Sequence, residues 1–402
     1  MPCITLDYGA ADPLVLEVRG DALVADRRGP EGLVGAEAAR LVTAAVGDAS
    51  HGPPLESQVV AGDRVTIGLI GDVPQPEAVV SALAARLDAA GVGSECLTLV
   101  VSPPLEAAVT PVGGLAGIGE RSSFDPAMES QTSYMAADEA GRPIHLARPL
   151  VDADVVVGVG RWSWDAALGG PSIEGELWPT FSRQACRDDQ VRALARRGRR
   201  AVPDWDAANR HATWQLGTCA SLRLVSGRRD SLAAAAFGLP VEAARSARRQ
   251  AAGWRPTVPS TAALAIASLS RPDGGLPLVL RAVAAAARVT HPTGTVCIAS
   301  RLAERPGVIF TRWREGAPLD ALVREALASG DMTLVRDAFQ TRFFARALGD
   351  RRLVLLSDLD EATVEELELG HAATPEVVER LAHRAETVTV LHEADRMLPR
   401  LA

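Results

Sequence analysis

The sequence predicts an α/β protein made of two α/β domains with a cleft between them. Three observations carry this. Short apolar runs alternate with amphipathic helical stretches, the alternation occurs on both sides of a proline-rich break, and 402 residues are too many for one ordinary core. In the first block RVTIGLI (64–70) reads as a buried strand. Pro76 opens an amphipathic helix to about Ala90, Gly91 stops it, and CLTLVV (96–101) returns as the next strand. A βαβ unit of this kind implies a parallel sheet with right-handed crossovers.

The flanking segments follow the same logic. LVLEV (14–18) and ALVAD (22–26) read as a hairpin turning at Arg19-Gly20-Asp21, and residues 102–150 are irregular and rich in Pro, Gly and Ser. DADVVVGVG (152–160) is another buried strand. A long loop to about Thr180 follows, then a helix from Ser182 with that hydroxyl as its N-cap, and a helix-rich stretch, 206–253, around the strand LRLVS (222–226). Trp254-Arg255-Pro256-Thr257-Val258-Pro259 breaks the pattern and sets the domains at 1–255 and 256–402. Beyond it AALAIASL (262–269), TVCIAS (295–300), RLVLLS (352–357) and TVTVL (387–391) are strands between helices. The strands at 64–70, 96–101 and 153–158 are expected to be neighbours in one sheet, and those at 262–269, 295–300 and 387–391 in another. Ligands of facing α/β units sit at the carboxyl ends of the strands.

Composition excludes several functions. All 42 basic residues are arginine and none is lysine, so every mechanism that needs a lysine amine, as Schiff base, covalent cofactor anchor or P-loop contact, is closed to this chain. A net charge of −8 and a pI near 5.5 argue against a nucleic-acid or anionic-membrane partner. No basic and apolar leader opens the sequence and no apolar run approaches the roughly 20 residues of a membrane span. Five scattered cysteines without a CxxC suggest neither a disulfide framework nor a zinc site, and a cytoplasmic location is expected.

Few local motifs carry chemistry. Gly158-Val159-Gly160 lacks the third glycine of a dinucleotide fingerprint, since Ser163 stands there, and the seven histidines are isolated. Five tryptophans crowd 162–214; either they form a local aromatic core or some of them, Trp162 and Trp164 first, wall the cleft. Asp165, Glu174 and Glu176 gather three carboxylates in the loop after the 152–160 strand. Without regular ligand spacing they read as ordinary acids, and no metal is expected.

The colinear order of several short motifs resembles the lactate racemase family, nickel-pincer enzymes that racemise or epimerise 2-hydroxy acids. Leu6-Asp7-Tyr8-Gly9 is similar to that family's opening. Val65-Thr66-Ile67 followed by Gly71-Asp72-Val73-Pro74-Gln75-Pro76 resembles its strand ending in D-x-T-R-P. Pro143-Ile144 with Ala153-Asp154-Val155-Val156-Val157-Gly158-Val159-Gly160 resembles the strand entering its catalytic loop, and Pro272-Asp273 through Arg281-Ala282 with Gly294-Thr295-Val296 resembles its C-terminal pattern. The resemblance spans about 1–315. It implies a cofactor-anchoring lysine at Gly175, a histidine of the nickel-ligand region at Asp165, an acid/base histidine near Pro104–Glu106 with Glu106 its occupant, and a carboxylate-gripping arginine at Gln75. The family's Y-Q-x-x-K becomes Pro277-Leu278-Val279-Leu280-Arg281.

Pincer chemistry cannot survive those changes unaltered. Racemisation needs a group that takes and returns a proton near neutral pH, and a soft nickel site favours imidazole or thiolate over carboxylate. The expectation is therefore a degenerate cleft with no cofactor, in a protein that binds a small organic acid or partners an active paralogue. Asp72, Glu106 and Asp165 are its candidate catalytic carboxylates, and Gln75, Arg281, Trp162 and Trp164 its candidate ligand contacts. The alternative expectation is a 2-hydroxy acid or sugar-acid racemase holding a nickel-pincer nucleotide without a covalent bond. A carboxylate-based isomerase or hydrolase is a third.

Overall fold

The computed structural model describes residues 2–102, 117–138, 141–217 and 219–402. Glu106 lies outside them. The chain begins with β1 (Cys3–Leu6), β2 (Leu14–Glu17) and β3 (Leu23–Arg27), followed by helix α1 (Gly35–Val46). Strand β4 (Val65–Ile70), helix α2 (Pro76–Ala89), strand β5 (Leu97–Val101) and strand β6 (Glu120–Ser123) come next. Strand β7 (Val155–Arg161) leads through a long loop into α3 (Gln184–Arg197) and α4 (Val202–Gln215), then β8 (Cys219–Ser226), β9 (Leu232–Gly238) and α5 (Pro240–Gln250). The second half runs β10 (Ala262–Ser268), α6 (Gly275–Ala287), β11 (Thr290–Ala299), α7 (Met332–Leu348), β12 (Arg352–Leu356), β13 (Gly370–His371), α8 (Pro375–Arg384) and β14 (Val388–Leu391).

Two six-stranded sheets result. The first has the order β9-β8-β7-β4-β5-β6 and is parallel except for β9; the second, β13-β12-β11-β10-β14-β3, is parallel throughout. The expected neighbours are therefore neighbours: β4 lies between β5 and β7, and β10 between β11 and β14. Both sheets are covered on two faces, which is why β4 and β14 are buried at every position instead of alternating. On one face of the first sheet Val79, Val80, Leu83 and Leu87 of α2 pack on Ile67, Leu99 and Val157. Pro76 starts that helix where its missing N–H costs nothing. Each fully buried Leu or Val there contributes about 1.5–3 kcal/mol. The opposite face carries Phe124, Leu146, Leu177 and Phe181.

Four expectations are corrected. The 14–18/22–26 hairpin does not form: β2 pairs antiparallel with β1, and β3 leaves it to pair in parallel with β14 at the edge of the second sheet. That sheet thus takes a strand from the N-terminal residues. Alternating apolar positions show that a segment is a strand but not which strand it pairs with. The 206–253 stretch holds a second strand, β9, beside β8. The irregular 102–150 region contributes β6 to the first sheet and an antiparallel pair, Thr132–Ala137 with Pro143–Ala147. The helix expected from Ser182 begins at Gln184, because the Ser182 hydroxyl donates back to the Pro179 carbonyl instead of capping forward. Among the described residues no helix is long and apolar enough to cross a membrane.

Candidate functional site

Parallel strands deliver their following loops to one end of a sheet, and here the carboxyl ends of the two sheets meet. Asp72, just beyond β4, joins them. It accepts a hydrogen bond from Arg161 Nη1 at the end of β7 (3.2 Å) and lies 3.5 Å from Arg271 Nη1 in the loop after β10. Arg161 is mostly buried, and Arg396, Glu174 and Arg281 lie within electrostatic reach of it. Asp72 is thus placed among arginines, as a carboxylate in a cationic setting.

A second ion cluster fixes the loop after β7. Arg281 on α6 donates to both carboxylate oxygens of Glu174, and its Nε is 3.5 Å from Asp165 Oδ2. Asp165 also accepts the Leu168 N–H at 2.9 Å. The two acids respond oppositely. Burial works to raise the Glu174 pKa, but the Arg281 charge and hydrogen bonds, with Arg161 and Arg271 behind them, hold it below the usual range. Asp165 is raised, because burial outweighs Arg281 there. Deeper in the same loop Arg223 donates to the Gly175 carbonyl and the Glu176 carboxylate. Asp165, Glu174 and Glu176 are therefore each committed to an arginine; among the described residues no three His, Cys, Asp or Glu side chains are grouped to hold a metal ion.

Gly175 sits at φ +86°, where L side chains are strained, and a Cβ there would stand 2.3 Å from the Arg161 carbonyl oxygen. The approach is reciprocal: a Cβ on Gly160 would stand 2.3 Å from the Gly175 oxygen. Gly158 and Gly160 thus let this loop lie against the end of β7, which accounts for the Gly-Val-Gly run without a dinucleotide. A lysine-anchored pincer does not fit at Gly175, where the resemblance puts the anchor: a side chain has no room there and its carbonyl is held by Arg223. Gly175→Ala is expected to lower stability by about 2–4 kcal/mol, since a strained φ and an overpacked contact combine. Urea denaturation measures it, and a loss under about 0.5 kcal/mol would mean the loop can shift away from β7.

The other candidates are placed as follows. Gln75, the residue before α2, has φ 52°; its Oε1 accepts the Gly35 N–H at 2.9 Å and its Nε2 donates to the Asp230 carbonyl at 3.3 Å. Both ends of the amide face the fold. Trp162 and Trp164 pack edge to face at 4.9 Å inside a core shared by the two sheets, and Trp164 Nε1 donates to the Ala251 carbonyl at 2.9 Å. The local-aromatic-core reading describes these two.

Several residues emerge that the sequence did not single out. Arg161 ends strand β7 and Arg271 follows strand β10, so the strand-end rule could have found them. A cavity of about 650 Å³ opens beyond Arg271, lined also by Pro277, Glu304, Arg305, Arg336 and Asp337. Burial pushes the Asp337 carboxyl up, although the Ile309 N–H, Thr341 hydroxyl and Phe310 N–H oppose the shift. Elsewhere, buried polar atoms stand without hydrogen-bond partners among the described residues, including Arg187 Nε, Trp205 Nε1 and both amide atoms of Gln190. Left unpaired each costs about 1–3 kcal/mol, so water or a ligand is their natural complement.

No family model and no curated protein matches the sequence. Solved structures do match. The chain superposes on the lactate racemase apoprotein of Thermoanaerobacterium thermosaccharolyticum with a TM-score of 0.75 at 14% identity, covering 99% of this chain and 100% of that one. A Thermotoga maritima protein matches with a TM-score of 0.66 at 10% identity, over 91% of this chain and 98% of the other. The protein has a lactate-racemase-like α/β fold.

Proposed function

We propose that the protein binds a small organic acid at the meeting of the two sheets and does not racemise it by the pincer route. The observation that carries this reading is the pairing of a closed anchor position with an arginine-lined strand-end cleft. Gly175 has no room for a side chain, while Arg271, which with Arg161 flanks Asp72, also lines a cavity of about 650 Å³ to which Asp72 and Arg161 do not contribute. That volume suits a small ligand. Arg271, about one-third exposed, is free to turn from Asp72 to an incoming carboxylate and grip it with paired N–H donors.

Calorimetric titration with lactate and glycolate tests the reading, with chirality and α-deuterium exchange followed in the same samples. Saturable binding without exchange is expected. Arg271→Gln should weaken binding about tenfold or more, because a charge-assisted hydrogen bond contributes about 1.5–3 kcal/mol. Absence of binding to any 2-hydroxy acid, or solvent exchange at the α-carbon, would overturn it.

A further inference from the structure

A second cavity, about 440 Å³, lies at the carboxyl ends of β3, β10 and β14, and Arg161, Arg271 and Arg281 take no part in its lining. His392, directly after β14, lines it. Its backbone N–H donates to the Arg27 carbonyl at 3.0 Å, and its Nε2 lies 2.8 Å from Asp26 Oδ1 on β3. The parallel register sets Val390 beside Asp26 and Leu391 beside Arg27, so a residue after one strand meets a carboxylate near the end of its neighbour. Asp26 stays ionised below its usual range: burial opposes this, but the His392 hydrogen bond and charge prevail, helped by Arg28 and Arg27. The other ring nitrogen, Nδ1, has no hydrogen-bond partner among the described residues.

The opposite wall comes from the turn between β8 and β9. Arg228 and Arg229 line the cavity from there, and the Arg229 guanidinium has no acidic partner among the described residues. Its backbone is left-handed (φ 53°) and donates its N–H to Glu393 Oε1 at 3.0 Å; Glu393 is left-handed as well (φ 54°), as is Asp230 (φ 58°). With Gln75, four of the five left-handed non-glycine residues found among the described residues lie on this seam. Such conformations persist only where the surroundings impose them, and they gather at binding sites. The acids of the cavity are already engaged: Glu393 by Arg396 (3.2 Å), and Asp7 by the Gly9 N–H (3.1 Å).

We infer that this cavity is a second ligand site, taking a small oxyanion, carboxylate or phosphate, between the Arg228–Arg229 turn and the Nδ1 edge of a His392–Asp26 dyad. Asp26 fixes the ring through Nε2; with both ring nitrogens protonated, His392 offers its Nδ1–H to the anion while Arg229 supplies charge from the facing wall. Arg271 itself does not line this cavity, though its neighbours Ser270 and Pro272 do.

The experiment is a titration of the full-length protein with inorganic phosphate in one arm and glycolate in the other, followed by calorimetry and by the imidazole resonances of ¹⁵N-histidine-labelled protein. His392→Gln identifies the His392 signal. At least one probe should bind saturably and shift that signal, and the arm that does so names the ligand class. Arg229→Gln, at an exposed side chain, should weaken this binding about tenfold or more and leave circular dichroism unchanged. Arg271→Gln should leave it untouched, even if the organic-acid reading of the first cleft fails. An unmoved His392 signal in both arms, or equal binding by Arg229→Gln, would overturn the inference.

Discussion

Replacing Arg281 with alanine is expected to destabilise the protein by about 3–5 kcal/mol, the cost of leaving buried acids without their counter-charge. Arg281 is only 13% exposed and serves Glu174 through direct hydrogen bonds and Asp165 at 3.5 Å. Removing it strands two carboxylates on the loop that closes over β7. Much of that penalty belongs to the stranded acids, so Arg281→Met combined with Glu174→Gln and Asp165→Asn should recover half or more of the loss. Urea unfolding followed by fluorescence measures both. A loss below about 1 kcal/mol for the single variant would show that solvent screens the cluster.

The pH dependence of that difference follows from Glu174. Its folded pKa is depressed below the ordinary 4.5, so its stabilisation is full above that value and is lost as pH falls through the folded pKa. Arg281→Ala has no such contribution to lose. Asp165 works in the same sense on the comparison: its raised pKa marks a buried charge that acid relieves, and relieves more in the variant. The gap between wild type and variant should therefore narrow below about pH 4.5.

The sheet neighbours were readable because crossover helices betray themselves by period and punctuation. Pro76 opens α2 and Gly91 follows it, and β4 and β5 flank them as continuous apolar runs. Strand β9 was hidden for the opposite reason. Its sequence, Leu-Ala-Ala-Ala-Ala-Phe-Gly, is rich in the best helix former, and pairing with β8 overrides that preference. At the site, Asp72 and Asp165 could be picked out because the family resemblance sets them in the cleft. Their partners could not: Arg161 stands 89 residues from Asp72, and Arg281 more than 100 from Asp165, distances over which no local pattern operates. His392 looked like one more isolated histidine. Only the parallel pairing of β14 with β3, whose true partner the sequence did not reveal, brings Asp26 to it.

The largest functional effect is expected where mature nickel-pincer cofactor is offered to the protein with D- or L-lactate: no racemisation and no α-deuterium incorporation above the protein-free control. Four losses lead there separately. No lysine exists to form the covalent link, so the denatured intact mass should equal the sequence mass. The anchor position cannot accept one by simple substitution, because φ +86° and the Arg161 carbonyl at 2.3 Å leave no place for its Cβ. The residue aligned with the family's nickel-region histidine, Asp165, is buried and held by Arg281 and the Leu168 N–H. The resemblance also leaves no histidine at its acid/base position near Pro104–Glu106; losing one general acid/base costs a factor of about 10²–10⁴, so an enzyme in the usual range of about 1–10³ per second would fall by at least that factor before the missing anchor is counted. These effects need not multiply strictly, since groups that act as a unit are not additive. The exchange readout keeps the test sharp. Deuterium entering the α-carbon requires C–H cleavage, which binding alone cannot produce. Turnover in the ordinary range would show that Asp72 or another carboxylate of the cleft handles the proton and that the cofactor is held without a covalent bond, and the racemase reading would replace the binding one.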